Sequence, residues 1–444
     1  MTRRDGGNPV AEHDAATNRI WQLIDEQARA IVVNSPPGAG KSTLVQRTAQ
    51  RLAPSRQVPI ITQTNDQADD LVRALARRLA RTSLSVGRLH RSERYTPPPG
   101  IPASNKIEDL EECQIVVAPA DKWAFVEEDY DWDIGIIDEA YQVSSAHLVR
   151  IAARFARLVL VGDPGQLSPF SPVEEAALRA TGSWPLATAA GTVLRTHPDT
   201  PIVELPVSWR LPDSGARVVA DSFYAKPFTA GTTPGERGLW APIRPAREGH
   251  LDRVLDTVID HGWCLLELPE ARLPRTDPEC VDAIVDVVRH LLVSRTHVID
   301  GDARRLLRPN DIAIGVAHRD QRERIRSEID EMCATLGIAR NEITVDTANR
   351  LQGRQFEVVV AWHPLSGRRD ASAFHLEAGR LCVLASRHRQ ACIVVARAGI
   401  REQLDAYPHT EPVWLGAAPP DVDGWEANHA FLEHLEKTTV RIHP

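Results

Sequence analysis

Lysine is scarce. Five are present (Lys41, Lys106, Lys122, Lys226 and Lys437), so arginine carries most of the 52 positive charges. A lysine inside a motif is therefore less easily a product of composition. No apolar run approaches the roughly 18 residues that a membrane span needs. The N-terminal MTRRDGGNPV lacks the apolar core of a secretory signal. Together these two absences lead to an expected location in the cytoplasm, with no membrane partner. The six cysteines (Cys113, Cys264, Cys280, Cys333, Cys382 and Cys392) form no CxxC pair and no Cys/His cluster at zinc spacing. Buried free thiols are expected instead. No internal repeat is found. Acidic residues exceed basic ones, 60 against 52, for a net charge of −8. That balance speaks against a histone-like coat on nucleic acid but leaves room for a local basic groove.

At 444 residues, two or three domains are expected. Short apolar runs read as buried strands: AIVVN (30–34), VPIIT (58–62), QIVVAP (114–119), DIGIID (133–138) and RLVLVGD (157–163). Helical patterns alternate with them, which predicts a parallel sheet covered on both faces. The pattern breaks over 164–235, rich in Pro, Thr and Ser, and a second alternating set follows. It comprises WCLLELP (263–269), a helix over 279–294, DIAIGVA (311–317), a helix over 319–336, EITVDT (342–347), FEVVVAW (356–362), a helix over 377–386 and ACIVVA (391–396). The expected domains are 1–200, 201–400 and a tail over 401–444 with a short amphipathic segment near 426–437. Packing on the core is the first reading of that segment, and a partner-binding helix is the alternative. Residues 1–15 are expected to be loose, and the proline-rich 86–110 to be an exposed insertion.

SPPGAGKS (35–42) is nearly the GxxxxGKS phosphate loop, with Ser35 in place of the first glycine. The backbone of this loop, through Ser35, Pro37, Gly38, Ala39 and Gly40, would wrap phosphate oxygens at a helix N-terminus. Pro36 and Thr43 complete the loop on either side. Lys41 would reach the β- and γ-phosphates, and Ser42 would ligate Mg²⁺. IGIIDEA (134–140) ends a strand in two carboxylates. Alone, such a pair reads as the acidic first turn of a helix. Downstream of a phosphate loop, Asp138 reads as the second Mg²⁺ ligand and Glu139 as the base that polarises water. In VGDPGQLSP (161–169), Gln166 could sense a γ-phosphate, with Asp163 and Pro164 setting the turn.

The order of these motifs resembles superfamily 1 helicases, in the subgroup that contains the nonsense-decay RNA helicase. The matching segments are SPPGAGKS (35–42), DEAYQ (138–142), GDPGQLSP (162–169), VSWR (207–210), VDTANRLQGRQ (345–355) and VLASRHR (383–389). The resemblance implies two tandem RecA-like α/β domains, parallel sheets with helices on both faces, and ATP with Mg²⁺ in a cleft between them. It implies that Arg210 and Arg387 are arginine fingers, that Trp209 stacks on the base, and that Gly353 lies at the nucleotide. It implies nucleic-acid contacts at Thr64, Asn65, Pro119, His318, Arg319 and Thr347. Departures are Ser35, Gln355 in place of a glutamate, and His388 with Arg389 where Ala and a basic residue are usual. No glutamine motif for adenine is clear; Gln22 lies closer to the loop than usual.

The implied activity is hydrolysis of ATP coupled to movement on single-stranded DNA or RNA. The alternative is an ATP-gated switch that recruits a protein through the C-terminal tail or the proline-rich insertion. A P-loop kinase for a small acceptor is a third reading, opposed by the second lobe.

Overall fold

A computed structural model describes residues 8–92, 95–126, 131–167, 169, 187–242, 249–369, 371–406 and 422–442. These fall into two compact units, the first holding 8–164, 169 and 187–206, the second 165–167 and the described residues from 207 onward.

The first unit is built on an eight-stranded parallel sheet. Its spatial order is Ala103–Ser104, Val86–Leu89, Ile115–Pro119, Val58–Thr62, Trp132–Asp138, Phe155–Gly162, Ala30–Asn34 and Ile202–Glu204. Successive side chains of a strand point to opposite faces. Thus Ile31 and Val33 enter one core cluster and Val32 the other, and Ile60 and Ile61 divide in the same way. A strand buried on both faces must be apolar at every position, which is why these runs are continuous.

Two expectations are corrected here. The chain start is not loose to residue 15, because a helix spans Pro9–Asp25. Asn8 caps it, with its Oδ1 accepting from Val10 N–H at 3.0 Å, and Pro9 occupies the first turn, where no N–H is needed. Ile20, Leu23 and Ile24 are its buried face. Nor is 86–110 simply an exposed insertion. Val86–Leu89 is a buried strand of the sheet, and Arg88 is 0% exposed, held by Asp69 and Asn65. Pro97, Pro99, Gly100 and Pro102 are exposed as expected, but Pro98 between them is buried.

The second unit carries a six-stranded parallel sheet in the order Thr344–Thr347, Ile312–Val316, Phe356–Trp362, His388–Arg397, Trp263–Leu268 and Thr439–Arg441. Cys264, Leu266 and Leu268 face one cluster while Trp263 and Leu265 face the other. An antiparallel three-stranded sheet (Arg237–Trp240, His297–Asp300 and Ala303–Leu306) stands beside it. The C-terminal helix Gly424–Glu436 buries Ala427, Phe431 and Leu435 in this unit, and its following strand pairs with Trp263–Leu268. Its apolar face is thus covered within the unit, which removes the partner-helix alternative for this segment. Pro408, Pro412, Pro419 and Pro420 lie outside the described residues. All six cysteines are buried and free. Among the described residues no helix is long and apolar enough to cross a membrane.

Candidate functional site

The strand Ala30–Asn34 delivers the chain to Ser35, whose N–H donates to Gly162 O at 2.8 Å. The loop then turns through Gly38 and Gly40, both at positive φ (77° and 84°), a region that favours glycine. Ser35 does not need that freedom. The described non-glycine residues with positive φ are Gln27, Glu139, Arg295 and Asn341. Ser35 is 1% exposed, and its Oγ has no hydrogen-bond partner. The helix Lys41–Leu52 opens at Gly40 with no side-chain cap. Four other helices of this unit are capped by Asn8, Thr64, Ser144 and Thr188, while the four-residue helix Ala120–Trp123 also lacks a side-chain cap. An uncapped N-terminus offers N–H donors and the positive end of the dipole to an anion. With the unpartnered Ser35 hydroxyl, this loop fits phosphate oxygens.

Lys41 pairs with Glu139 through Nζ and Oε1. Glu139 sits at φ 59°, left-handed for a residue with a side chain, a strain of order 1–2 kcal/mol. Its other oxygen, Oε2, accepts from Gln142 Nε2 at 2.8 Å. Glu139 N–H donates to Asp138 Oδ1 at 3.0 Å. Asp138, Glu139 and Gln142 are all buried, as is Asp163 at 2% exposure. Burial works against charge on Lys41, but the Glu139, Asp138 and Asp163 carboxylates outweigh it and hold the amine above its usual range. Burial pushes the Asp138 carboxyl up to about 6, with Lys41 opposing and Glu139 adding to the rise. Sequence reasoning missed Gln142 as the holder of Glu139, and gave Asp163 only a turn. The DEAYQ spacing was the available signal for Gln142: three residues on, after a tight turn (Gln142 N–H to Glu139 O, 2.7 Å), the amide returns to the carboxylate.

No group of three or more His, Cys, Asp or Glu side chains able to hold a metal exists among the described residues. Mg²⁺ does not require one, because it commonly takes one or two protein ligands and completes its shell with water and phosphate. Ser42, exposed at the first turn, and Asp138 are the residues suited to that use.

In the second unit, Arg210 and Arg387 converge on Ser386. Arg210 Nη1 donates to Ser386 O at 3.4 Å, and Arg387 Nη2 to Ser386 Oγ at 3.0 Å. Arg210 Nε also reaches Gln355 Oε1 at 3.3 Å, so the residue that departs from the family pattern is a partner of a candidate finger. Arg387 is 1% exposed and donates to Val383 O as well. The backbone at Trp209 and Arg210 is tied by Arg237, which donates to both carbonyls. A Cβ at Gly231 would overlap the Trp209 ring, so glycine there lets backbone support the indole. Gln166 belongs to this unit, where its Oε1 accepts from Gln352 at 3.2 Å. Gly353 follows at φ 78°.

The expected nucleic-acid residues are not gathered by direct bonds. Thr64 caps the helix Asn65–Leu79, and Asn65 accepts from Arg88, so both are engaged internally. Pro119 ends its strand. Thr347 is 9% exposed at the end of its own strand. His318 packs on Phe374, and Arg319 is exposed. Gln22 is exposed and bonds Glu26, with nothing of an adenine site about it.

Two family models match, each described as an AAA domain, over residues 16–180 and 272–399. They are of the superfamily 1 helicase type; the first contains the phosphate loop and the second contains four of the six strands of the second parallel sheet. The chain thus carries two domains of the superfamily 1 helicase type. No curated protein sequence matches this chain. Among solved structures it is similar to arterivirus nonstructural protein 10, a helicase (14% identity, TM-score 0.43, 85% of this chain and 62% of that one). It is also similar to the Escherichia coli DEAH/RHA helicase HrpB (13%, 0.44, 97% and 50%). A third is the DUF1998 helicase MrfA bound to DNA (12%, 0.48, 90% and 53%). The chain thus spans about half to just under two thirds of the solved chains it matches.

Proposed function

We propose that the chain hydrolyses ATP to ADP and phosphate and uses the cycle to move along single-stranded DNA or RNA. The observation that carries this reading is the Lys41–Glu139–Gln142 chain at an uncapped helix N-terminus, with Asp138 and Asp163 beside it. Lys41 binds the β- and γ-phosphates, and the loop N–H groups take the remaining oxygens. Glu139, held by Gln142, accepts the proton of the attacking water. A bound Mg²⁺, held by Ser42 and Asp138, would neutralise charge on the phosphates. Trp209 offers a flat face for the base, and Gln166 orients water. Arg210 and Arg387 stabilise charge on the transferring phosphoryl group; guanidinium suits that role because it is planar and always charged. The short strand-end loops, with Thr64, Asn65, Pro119, His318, Arg319 and Thr347, would follow a sugar–phosphate backbone without reading sequence.

The test is phosphate release by the purified chain with Mg²⁺ and ATP, at stated salt, with single-stranded DNA, single-stranded RNA, duplex or no nucleic acid. Stimulation by a single strand is the expected result. A rate indifferent to every nucleic acid would sink the motor reading.

A further inference from the structure

An arginine outside every sequence motif holds the segment that carries Trp209 and Arg210. Arg237 Nη1 donates to Trp209 O at 2.9 Å and to Arg210 O at 2.7 Å. One nitrogen thus spends both of its hydrogens on two successive carbonyls. In an extended strand successive residues face opposite sides. Two neighbouring carbonyls on one nitrogen therefore mark a bend, and it comes just after the strand Val207–Ser208. The bend sets the directions in which the Trp209 and Arg210 side chains leave the backbone.

Arg237 is itself held. Its Nε reaches Asp300 Oδ1 at 3.3 Å, and the two residues face each other in register across the antiparallel pair Arg237–Trp240 and His297–Asp300. The other oxygen of the same carboxylate, Oδ2, accepts from Arg389 Nη2 at 2.9 Å. Each oxygen of Asp300 thus meets one arginine. The hairpin that carries Asp300 is docked at its tip, where Gly301, at φ 60°, donates its N–H to Glu236 O at 2.8 Å.

Burial does not account for the outer half of this hairpin. All four residues of the strand Ala303–Leu306 are exposed. The Asp300 side chain is 47% exposed, whereas that of Arg237 is 10% exposed. An ion pair so open to solvent adds little stability. It does fix orientation. A guanidinium is a rigid planar fork, so a carboxylate at its Nε edge sets the plane in which Nη1 presents its hydrogens.

We propose that Asp300 is a positioning residue for ATP hydrolysis: through Arg237 it holds the bend at Trp209 and Arg210, and so aims the Arg210 guanidinium. This role rests on the reading of Arg210 as a group that stabilises the transferring phosphoryl. It adds a carboxylate on an antiparallel hairpin, away from the parallel sheet, on which the aim of that group depends. Arg389 keeps the carboxylate in place from the other side.

The test measures kcat and KM for ATP with the full chain and Mg²⁺, with and without oligothymidylate. Asp300→Asn keeps the size of the side chain but offers an amide where one arginine needs an oxygen. It should lower kcat by roughly 10–10²-fold, the cost of a small misplacement, with KM for ATP within about twofold of wild type. Its melting temperature should stay near that of wild type, because the pair is exposed. Arg237→Leu, which removes the clamp itself, should lose at least as much kcat. Asp302→Asn makes the same charge change on the same hairpin and should keep kcat. The decisive measurement is a double-mutant cycle. In an Arg210→Ala background, Asp300→Asn should change kcat by less than about twofold, because the group it aims is gone. A loss of the same factor in both backgrounds would show a general structural role and overturn the positioning role. So would full kcat in Asp300→Asn where Arg210→Ala is impaired, or a rise in KM alone. Full kcat in Arg210→Ala would instead remove the reading of Arg210 beneath it.

Discussion

Lys41 and Glu139 are bound to each other, the amine on one carboxylate oxygen and Gln142 on the other. The candidate phosphate ligand and the candidate base therefore share one contact. A triphosphate that draws Lys41 onto its own oxygens frees the Glu139 oxygen facing it, so binding and activation of the base are linked. Glu139→Gln keeps the shape and the bond to Gln142 but removes the charge that competes for Lys41. We expect ATP to be retained at least as tightly, with turnover reduced by roughly 10²–10⁴-fold. Nucleotide binding measured beside single-turnover hydrolysis checks it, and normal turnover would dismiss Glu139 as the base.

Gln142→Ala tests the same chain from the other end. Without its amide, Glu139 Oε2 has lost its partner in a buried site. The carboxylate is then free to turn away from the attacking water, so kcat should fall by roughly tenfold with KM for ATP little changed. A rise in KM with kcat preserved at saturating ATP would show that Gln142 serves binding and not the base.

Asp138 gives a prediction about stability. Burial raises its carboxyl to about 6 in the folded chain, above the ordinary value of 3.8. Between those values the folded state holds more protons than the unfolded one, so this group makes stability fall as pH rises through the window. The destabilisation is then constant above it. Asp138→Asn should raise the melting temperature at pH 7.5 by several degrees, and have no such effect below pH ~3, where both states are protonated. Thermal scans at the two pH values without nucleotide decide the matter.

Much of this could be read from the chain, and the reason is physical. Strands buried on both faces must be apolar throughout, so 30–34, 58–62 and 356–362 announced themselves at their observed limits. The helix Pro9–Asp25 did not, because its first half is largely polar and its buried stripe begins with a threonine, Thr17, before Ile20, Leu23 and Ile24. The Asn8–Pro9 pair was the overlooked signal. Val86–Leu89 was hidden for a different reason: it contains a buried arginine, whose partners Asp69 and Asn65 lie on the first turns of the preceding helix. At the site, residue types identified Lys41, Asp138 and Glu139, whereas the service of Gln142 to Glu139 depends on a left-handed backbone at Glu139 that composition does not display.

The second unit contains a buried ion pair that sets its stability apart from any catalytic role. Arg397, 1% exposed, donates to both oxygens of Asp277 at 2.7 and 2.9 Å and to Glu279 at 2.7 Å. Asp277 also caps the helix Pro278–Val293. Burial alone would raise the Asp277 carboxyl, but the Arg397 bonds reverse this and hold it below its usual range. Its contribution is therefore present above the ordinary carboxylate range and lost as pH falls through it. Asp277→Ala leaves a buried guanidinium partly unpaired and uncaps the helix. Urea unfolding at pH 7 should show a loss of about 3–5 kcal/mol. A change under 1 kcal/mol would show the pair to be dispensable.

Arg387 is the hardest candidate to test, because it is buried and bonded to Val383 and Ser386. A loss of activity in Arg387→Ala alone would not separate charge stabilisation from a damaged interior. Arg210, half-buried and bonded through weaker contacts of 3.3 and 3.4 Å, provides the control. If both guanidiniums stabilise the transferring phosphoryl group, Arg210→Ala should lower kcat by roughly 10³-fold or more while ATP affinity changes little. Arg387→Lys should fail as well, since an ammonium cannot reproduce the planar fork. Melting temperature of each variant reports the structural cost separately. A pure affinity loss in Arg210→Ala, with kcat preserved at saturating ATP, would remove it from the chemistry.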